Sequence, residues 1–213
     1  MKQTDTPRRS YDTSGRRATA ARNRESVVRA CRELLERDGY RATTVRAVAE
    51  RAGVSAEMVY KAFGGKQQLI KTVYDVALAG DHEPVPIGRR QAVQQVLAVE
   101  DPHEQLARYA AFVCDLHQRL GGLLTVLAEA DPGVAEIRAV TEAERLVGVR
   151  AFVGHLADAG LLRPGLDPDH AADACWALTS PQLFAQLTQS RAWTPEGYRQ
   201  WMTRMLTATL LAP

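Results

Sequence analysis

Apolar residues recur at intervals of three and four along the chain, which is the spacing of amphipathic helices. In the first 80 residues they fall into four groups, within 27–35, 45–52, 59–63 and 69–77. No stretch alternates between apolar and polar residues for long enough to predict a strand. The pattern therefore predicts an all-α protein.

Proline and glycine divide this pattern. Residues 8–83 contain no proline, and Gly39 and Gly53 stand where helices should end. Residues 80–88 contain two prolines and are predicted to be a linker. Further on, Asp-Pro or Thr-Pro pairs at 131–132, 167–168 and 194–195 predict capped helix starts. Only Pro181 falls inside an apolar helical pattern, where we expect it to kink the helix.

Residues 44–63 have the spacing of a helix-turn-helix. The first helix ends near Ala52, Gly53 provides the turn, and the second helix begins at Ser55. Thr44 and Ser55 are suited to be the N-caps of the two helices. A helix of this kind fits the major groove of DNA, which is about 12 Å wide.

Charge is divided unequally along the chain. The formal net charge is only +2, but residues 1–80 hold 16 Lys/Arg against 9 Asp/Glu, and residues 81–213 hold 11 against 16. The net charges of the two parts are therefore +7 and −5. The arginine-rich segment 1–20 has few apolar residues and is predicted to be a disordered basic arm. The uneven charge suits the N-terminal part, and not the C-terminal part, to a polyanion. For the arm taken alone, a solvated tail that aids solubility is an equally good interpretation.

Several classes of protein are disfavoured by the sequence. It has no apolar window of membrane-spanning length and no apolar segment behind its N-terminal charges, so we expect neither a membrane span nor a secretory signal. Three widely spaced cysteines, Cys31, Cys114 and Cys175, are typical of reduced thiols in the cytoplasm. The five histidines are scattered, and nucleophile and phosphate-loop motifs are absent. We expect no catalytic site, no metal and no cofactor.

The N-terminal part resembles the TetR family of transcriptional regulators, over residues 22–80. The resemblance rests on Gly39-Tyr40, Thr43-Thr44-Val45, Ala52-Gly53-Val54-Ser55, Tyr60, Phe63, Lys66 and Leu69. Around Trp176 and Trp193 the chain looks like an actinobacterial-type branch of that family. One departure is Ala62, where many members have histidine, which puts one DNA backbone contact in doubt.

This resemblance implies a fold and a mode of action. It implies a TetR-like protein of about nine or ten helices, with a helix-turn-helix domain over 21–80 and an antiparallel helical bundle over 81–213 for ligand binding and dimerisation. The expected partners are a palindromic double-stranded DNA operator, a second copy of the chain and an unknown small-molecule effector. Repression is the family's commonest outcome.

Candidate DNA contacts follow from chemistry and from the resemblance together. Thr44, at a helix N-terminus, can bind a phosphate. Lys61 can bind guanine, and Met58 or Ala56 can contact a thymine methyl group. The resemblance implies phosphate contacts by Tyr60 and Lys66. The full set of candidates is Thr43, Thr44, Arg46, Ser55, Ala56, Glu57, Met58, Tyr60, Lys61 and Lys66. For Glu57 and Lys61 taken singly, a solvated helix face is an equally good interpretation.

A candidate ligand pocket lies in the C-terminal part, where apolar residues with a few polar groups share helix faces. Its predicted lining is Tyr109, Phe112, Val113, Leu116, His117, Leu127, Phe152 and Leu156. The same pattern is also that of an ordinary helical core, and this interpretation is favoured for Tyr109 and His117.

A candidate dimer interface lies in the last two helices, which have more apolar surface than one chain easily buries. All three tryptophans lie at or after residue 176. We expect two helices from each subunit to form a four-helix interface. Its predicted residues are Trp176, Phe184, Leu187, Tyr198, Trp201 and Met205.

Two other functions remain open from the sequence. A DNA-packaging protein would bind without operator preference, and its C-terminal half would have no ligand cavity. A helical enzyme is the weaker alternative, because its site would have to be assembled from residues scattered along the chain.

Overall fold

The computed structural model of the chain describes residues 14–83, 85–129 and 131–212. Within these residues it contains α-helices and connecting turns but no strand, which confirms the all-α prediction. The N-terminal helices are α1 (Ser14–Ala42), α2 (Val45–Ala52), α3 (Ala56–Phe63) and α4 (Lys66–Ala79). The C-terminal helices are α5 (Gln91–Leu97), α6 (Pro102–Leu120), α7 (Leu123–Leu127), α8 (Pro132–Asp158), α9 (Pro168–Leu178), α10 (Pro181–Ala185) and α11 (Pro195–Leu210).

Helix starts follow the predicted capping residues. The hydroxyl oxygens of Thr44 and Ser55 accept hydrogen bonds from the backbone N–H groups of Ala47 and Met58, each at 3.1 Å. The Asp131, Asp167 and Thr194 side chains cap α8, α9 and α11 in the same way, and each of these helices begins with proline. Local side-chain chemistry therefore determines where these helices begin.

The predicted kink at Pro181 is wrong. Helix α9 ends before it, and Pro181 is the first residue of α10. The Ser180 hydroxyl accepts a hydrogen bond from the backbone N–H of Leu183 at 3.1 Å and caps the new helix. The backbone N–H of the first residue in a helix has no partner within the helix, so proline, which lacks this group, is well suited to begin α10 and does not bend it.

The basic arm predicted for residues 1–20 is only partly within the described residues. Residues 1–13 lie outside them. From Ser14 onward the chain is helical, in contrast to the expected disorder, and α1 extends about three and a half turns before its first buried residue, Val27. Arg16, Arg17 and Arg22 are therefore exposed along a helix.

Helix α1 is the scaffold of the N-terminal domain. Its buried residues Val27, Cys31 and Leu35 pack with apolar residues of α2, α3 and α4. At Gly39 the backbone leaves the helical conformation, with φ of 78°, before a last helical turn that ends at Ala42. Only glycine adopts such a conformation at little cost, so the bend is encoded at this residue.

The two halves of the chain meet at this bend. The backbone N–H of Tyr40 donates a hydrogen bond to Glu129 Oε1 at 3.1 Å, and Arg41 pairs with Asp131 at 3.0 Å. Next to them the Tyr40 ring lies against Gly133, at the start of α8. We refer to Tyr40, Arg41, Glu129, Asp131 and Gly133 as the interdomain junction. Helix α4 extends the contact by packing on α6 and α8.

Gly133→Ala tests this junction. A Cβ atom at Gly133 would lie 1.9 Å from the Tyr40 hydroxyl, so the ring must move, and we expect the free energy of unfolding to fall by about 1–3 kcal/mol. The matched control is Gly148→Ala in the same helix, where a Cβ meets nothing within 4 Å. Alanine there should raise the free energy of unfolding by about 0.5–1 kcal/mol. Equal effects of the two changes in urea unfolding would contradict the close contact.

Candidate nucleic-acid interface

Helices α2 and α3 form the predicted helix-turn-helix. Helix α2 ends at Gly53, which has the left-handed φ of 70°. The backbone N–H of Val54 donates to the Ala49 carbonyl at 3.0 Å and closes the turn, and α3 follows its cap at Ser55. A left-handed residue at this point favours glycine and directs α3 across α2.

Helix α3 is held by its inner face. Val59 and Phe63 are buried in the domain core. Its C-terminal end is tied to α1, because Arg24 donates a hydrogen bond to the Ala62 carbonyl at 3.0 Å and its guanidinium lies 4.4 Å from the centroid of the Phe63 ring. Arg51 similarly ties α2 to α1 through an ion pair with Glu33 at 2.7 Å. These contacts fix the orientation of the outer face of α3.

The outer face of this motif presents polar side chains to solvent. Tyr60 is 56% exposed, and Arg46, Glu57 and Lys61 are exposed as well. None of the Arg46, Tyr60 and Lys61 side chains is hydrogen-bonded or ion-paired to another described residue. These groups are therefore free to contact an external partner.

Ala56 and Met58 are less available. Both are partly buried and pack against the domain core. Each therefore has only part of its side chain to offer to a base, and the polar residues of α3 provide most of its outer surface.

Thr43 corrects the sequence prediction. It is only 1% exposed, and its hydroxyl donates a hydrogen bond to the Gly39 carbonyl at 2.9 Å. It stabilises the bend at the end of α1 and cannot reach an external phosphate. Thr44 and Ser55 remain exposed, and their hydroxyl hydrogens are not used by the caps.

Lys66 is placed differently from the expectation. Its ammonium donates a hydrogen bond to the Tyr40 carbonyl at 2.6 Å and lies 3.8 Å from the centroid of the Tyr40 ring. Burial lowers the pKa of Lys66, and the carboxylates of Asp131 and Glu129 partly offset this effect. The side chain thus holds α4 to the bend in α1, instead of pointing outward to a phosphate.

The start of α4 is nevertheless open to an anion. No side chain caps it, and its N-cap is Gly65. The free backbone N–H groups of the first turn and the positive end of the helix dipole attract negative charge. The resemblance implies a phosphate contact by the Lys66 side chain, whereas the groups left uncapped at this position are backbone N–H groups.

The residues predicted to line a ligand pocket are buried or partly buried. The Tyr109 and Phe152 rings stack with their centroids 3.7 Å apart, and His117 is 4% exposed. Val113 and Leu156 are buried in the core, while Phe112, Leu116 and Leu127 are partly buried. Two surface clefts are lined by residues of α1, α2, α4 and α6 and include none of these side chains.

The predicted dimer interface is only partly supported by exposure. Phe184 and Tyr198 are buried within their own subunit, and their rings contact each other edge to face at 5.1 Å. These two predictions are wrong, because neither ring reaches the surface. Trp176, Leu187, Trp201 and Met205 are partly exposed. Trp193, which the prediction omitted, is 39% exposed and packs edge to face on Trp201.

Other kinds of site are not found in the part of the chain that the structure describes. No three His, Cys, Asp or Glu side chains are grouped there so as to hold a metal ion. No described helix is both long and apolar enough to cross a membrane. The cysteines Cys31, Cys114 and Cys175 are all buried free thiols.

Comparison with known proteins decides the nature of the N-terminal domain. Residues 27–73 match the family model of the bacterial regulatory proteins of the tetR family. Over these residues the N-terminal domain is similar to the N-terminal domain of that family. Its matched segment covers most of α1, the helix-turn-helix and the first half of α4. No curated protein matches the chain significantly.

Solved structures with the same fold include TetR-family regulators. A putative TetR-family transcriptional regulator from Rhodococcus sp. is 17% identical with a TM-score of 0.68, and the match covers 89% of this chain and 99% of that chain. NalD, the secondary repressor of the MexAB-OprM multidrug efflux pump in Pseudomonas aeruginosa, is 20% identical with a TM-score of 0.68, over 91% and 98% of the two chains. The SmeT–triclosan complex is 18% identical with a TM-score of 0.67, over 89% and 92%. At these identities the likeness shows the fold.

Lys66→Ala and Lys61→Ala separate a lysine with a structural contact from an exposed lysine that is a candidate DNA contact. Loss of the bond to Tyr40 and of the ring contact should lower the free energy of unfolding by about 1–2 kcal/mol in Lys66→Ala. The dependence of DNA binding on salt should not change. Lys61→Ala should leave stability within about 0.5 kcal/mol and weaken DNA binding. If Lys66→Ala instead lowers the salt slope by about one unit, its ammonium does bind a phosphate.

Proposed function

We propose that this protein is a ligand-responsive transcriptional repressor that binds a palindromic operator as a dimer and is released by a small molecule. The observation that carries the proposal is the outer face of α3, where Tyr60 and Lys61 are exposed and unpaired within a TetR-family helix-turn-helix. A rigidly held short helix with free polar side chains is suited to the major groove.

Phosphate contacts would place α3 in the groove. Candidates are the hydroxyls of Thr44, Ser55 and Tyr60 and the uncapped N–H groups at the start of α4. These groups occur at three helix starts and on α3 itself, so they can bind the backbone on both sides of a groove. Such contacts determine register and carry no sequence information.

Base contacts would come from the exposed side chains between these anchors. Lys61 and Arg46 can bind the acceptors of guanine, and Glu57 can accept from cytosine. Ala56 and Met58 offer partial apolar surface to a thymine methyl group. The combination indicates a sequence-selective interface rather than a phosphate-only one, which favours regulation over packaging.

The charge distribution supports this orientation. The +7 of residues 1–80 favours approach to DNA, and the −5 of residues 81–213 keeps the C-terminal half away from it. The exposed arginines at the start of α1, Arg16, Arg17 and Arg22, extend the basic surface beyond α3. Long-range attraction of this kind accelerates association and weakens with salt.

Dimerisation would use the outer faces of α9 and α11. A single short reading helix contacts few base pairs, so two copies are needed for useful affinity. The partly exposed side chains of Trp193, Trp201 and Met205 form an apolar area on and beside α11. Aromatic and methionine side chains are enriched in such interfaces.

The interdomain junction offers a route from effector to DNA. Glu129 and Asp131 precede α8 and contact the bend of α1, so a displacement of α8 would move the bend and with it the helix-turn-helix. A ligand that favours the displaced state would lower operator affinity by its differential affinity for the two states. SmeT has been solved with triclosan bound and NalD is a repressor, and both observations support this proposal by analogy.

Trp201→Glu tests the dimer. A carboxylate in a buried contact is strongly unfavourable, so we expect a monomer by sedimentation at micromolar concentration and a large loss of operator affinity. Arg204→Glu, at an exposed position of the same helix, changes charge by more and should leave the dimer intact. A monomeric unmodified chain, or a dimeric Trp201→Glu, would contradict the assignment.

A gel shift tests the function as a whole. The probe is the promoter region beside the protein's own gene, with and without excess random DNA. A regulator should give a saturable complex that resists the competitor, since specific sites bind about 10³–10⁷-fold more tightly than random DNA. Equal loss to random DNA would indicate packaging, and no complex with either DNA would reject a DNA-binding function.

A further inference from the structure

Three buried polar atoms in the C-terminal half have no hydrogen-bond partner among the described residues. They are His117 Nδ1 on α6, Trp176 Nε1 on α9 and Tyr198 OH on α11. Native proteins pair nearly all buried polar groups, because an unpaired one costs free energy. A fourth such atom, Gln105 Oε1, belongs to a side chain whose amide nitrogen already bonds three other groups near the opposite end of α6.

Arg145 of α8 contacts Trp176 and acts electrostatically on His117 and Tyr198. Its guanidinium lies 4.5 Å from the Trp176 ring centroid and donates a hydrogen bond to the Trp176 carbonyl at 2.7 Å. Its positive charge also acts on the pKa values of His117 and Tyr198, as a secondary influence after burial. The His117 and Tyr198 rings are 6.4 Å apart. We call His117, Arg145, Trp176 and Tyr198 the inner polar cluster.

The charge of this cluster is already balanced. Arg145 is paired with Glu142 at 2.6 Å, and both side chains are largely buried. Burial is the main cause that lowers the pKa of His117 to about 3, so this imidazole is uncharged at neutral pH. An added anion would be left without a counter-ion in a medium of low dielectric constant, which is unfavourable. The cluster therefore suits an uncharged molecule.

The unpaired groups also indicate the chemistry of that molecule. Trp176 Nε1 is only a donor, the Tyr198 hydroxyl can donate, and neutral His117 can donate from one of its ring nitrogens. Donors of this kind need acceptor oxygens. Phe184 lies 5.2 Å from His117 and 5.1 Å from Tyr198, ring centroid to centroid, so the surroundings are aromatic.

We propose that the inner polar cluster is the effector-recognition site, and that its ligand is an uncharged aromatic molecule with a carbonyl-type acceptor oxygen. This inference rests on the proposed response to a small molecule and adds the chemical class of that molecule. Recognition would then use groups of α6, α8, α9 and α11 in the inner polar cluster rather than the stacked rings of Tyr109 and Phe152. Phe184 on α10 contacts the His117 and Tyr198 rings, and α10 is followed by the π-helical turn Gln186–Ser190, a kind of backbone irregularity that is frequent at functional sites.

Three small probes of similar shape test the class of ligand on the full chain. They are acetophenone, ethylbenzene, which lacks the oxygen, and benzoate, which adds a charge. The chain has three tryptophans, so each indole N–H gives a separate ¹⁵N–¹H resonance that single Trp→Phe changes assign. Acetophenone should shift the Trp176 indole resonance, leave that of Trp193 in place and bind about tenfold more tightly than ethylbenzene, the gain from one hydrogen bond. Benzoate should bind most weakly.

Tyr198→Phe separates recognition from stability. Because its hydroxyl has no partner among the described residues, removing it should leave the unfolding midpoint of the free chain unchanged or raise it, and should weaken acetophenone but not ethylbenzene. Tyr60→Phe makes the same change on the DNA-facing surface and should alter neither probe.

The proposal is overturned by an unmoved Trp176 resonance, by tighter binding of benzoate than of acetophenone, or by a lower unfolding midpoint in Tyr198→Phe. None of these outcomes depends on DNA. The gel shift therefore reports separately on the proposed function, and a chain that binds an operator but not acetophenone loses only the inference about its effector.

Discussion

The outer face of α3 depends on the burial of the opposite side of this eight-residue helix. A helix as short as α3 is unstable alone in water, because nucleation costs more than a few hydrogen bonds return. It persists here because Val59 and Phe63 enter the core formed by α1, α2 and α4, and because Arg24 holds its last turn. The inward residues therefore determine which residues are left outside, and Tyr60 and Lys61 face solvent as a consequence.

The same core connects α3 to the rest of the molecule. Helix α1 supplies much of that core and then bends at Gly39 into the interdomain junction. Lys66, at the start of α4, donates a hydrogen bond to the carbonyl of Tyr40, just after the bend. The segments that precede α2 and follow α3 are therefore both held at this bend. A movement of α8 would reach α3 through packed side chains and hydrogen bonds, without any flexible segment between them. The two halves are therefore connected over a short path.

Features encoded by neighbouring residues could be predicted from the sequence. The caps at Thr44 and Ser55 and the turn at Gly53 depend on side chains within three residues of the backbone groups they serve. Even the start of α10 at Pro181 had such a signal, since Ser180-Pro181 repeats the cap-proline pattern of the other helices. The apolar periodicity around it led to the wrong interpretation, because periodicity reports burial but not continuity of the helix.

Features decided by tertiary packing could not be predicted in the same way. Thr43 and Thr44 are identical neighbours, yet only the first is turned into the bend of α1. Phe184 and Tyr198 are as apolar as Trp201, and only their position relative to α6 makes them core rather than surface. The unpaired atoms of His117, Trp176 and Tyr198 come from three helices that the sequence separates widely.

In the proposed complex, two copies of α3 enter successive major grooves of the operator. Lys61→Cys places a thiol on the outer face of α3, and the three native cysteines are buried, so an iron chelate that cleaves DNA can be attached there selectively. We expect two groups of cleavages about one helical turn apart on the operator, and none when the chelate is attached at Arg150→Cys on the exposed side of α8. Cleavage from position 150, or none from position 61 in a chain that still binds the operator, would contradict it.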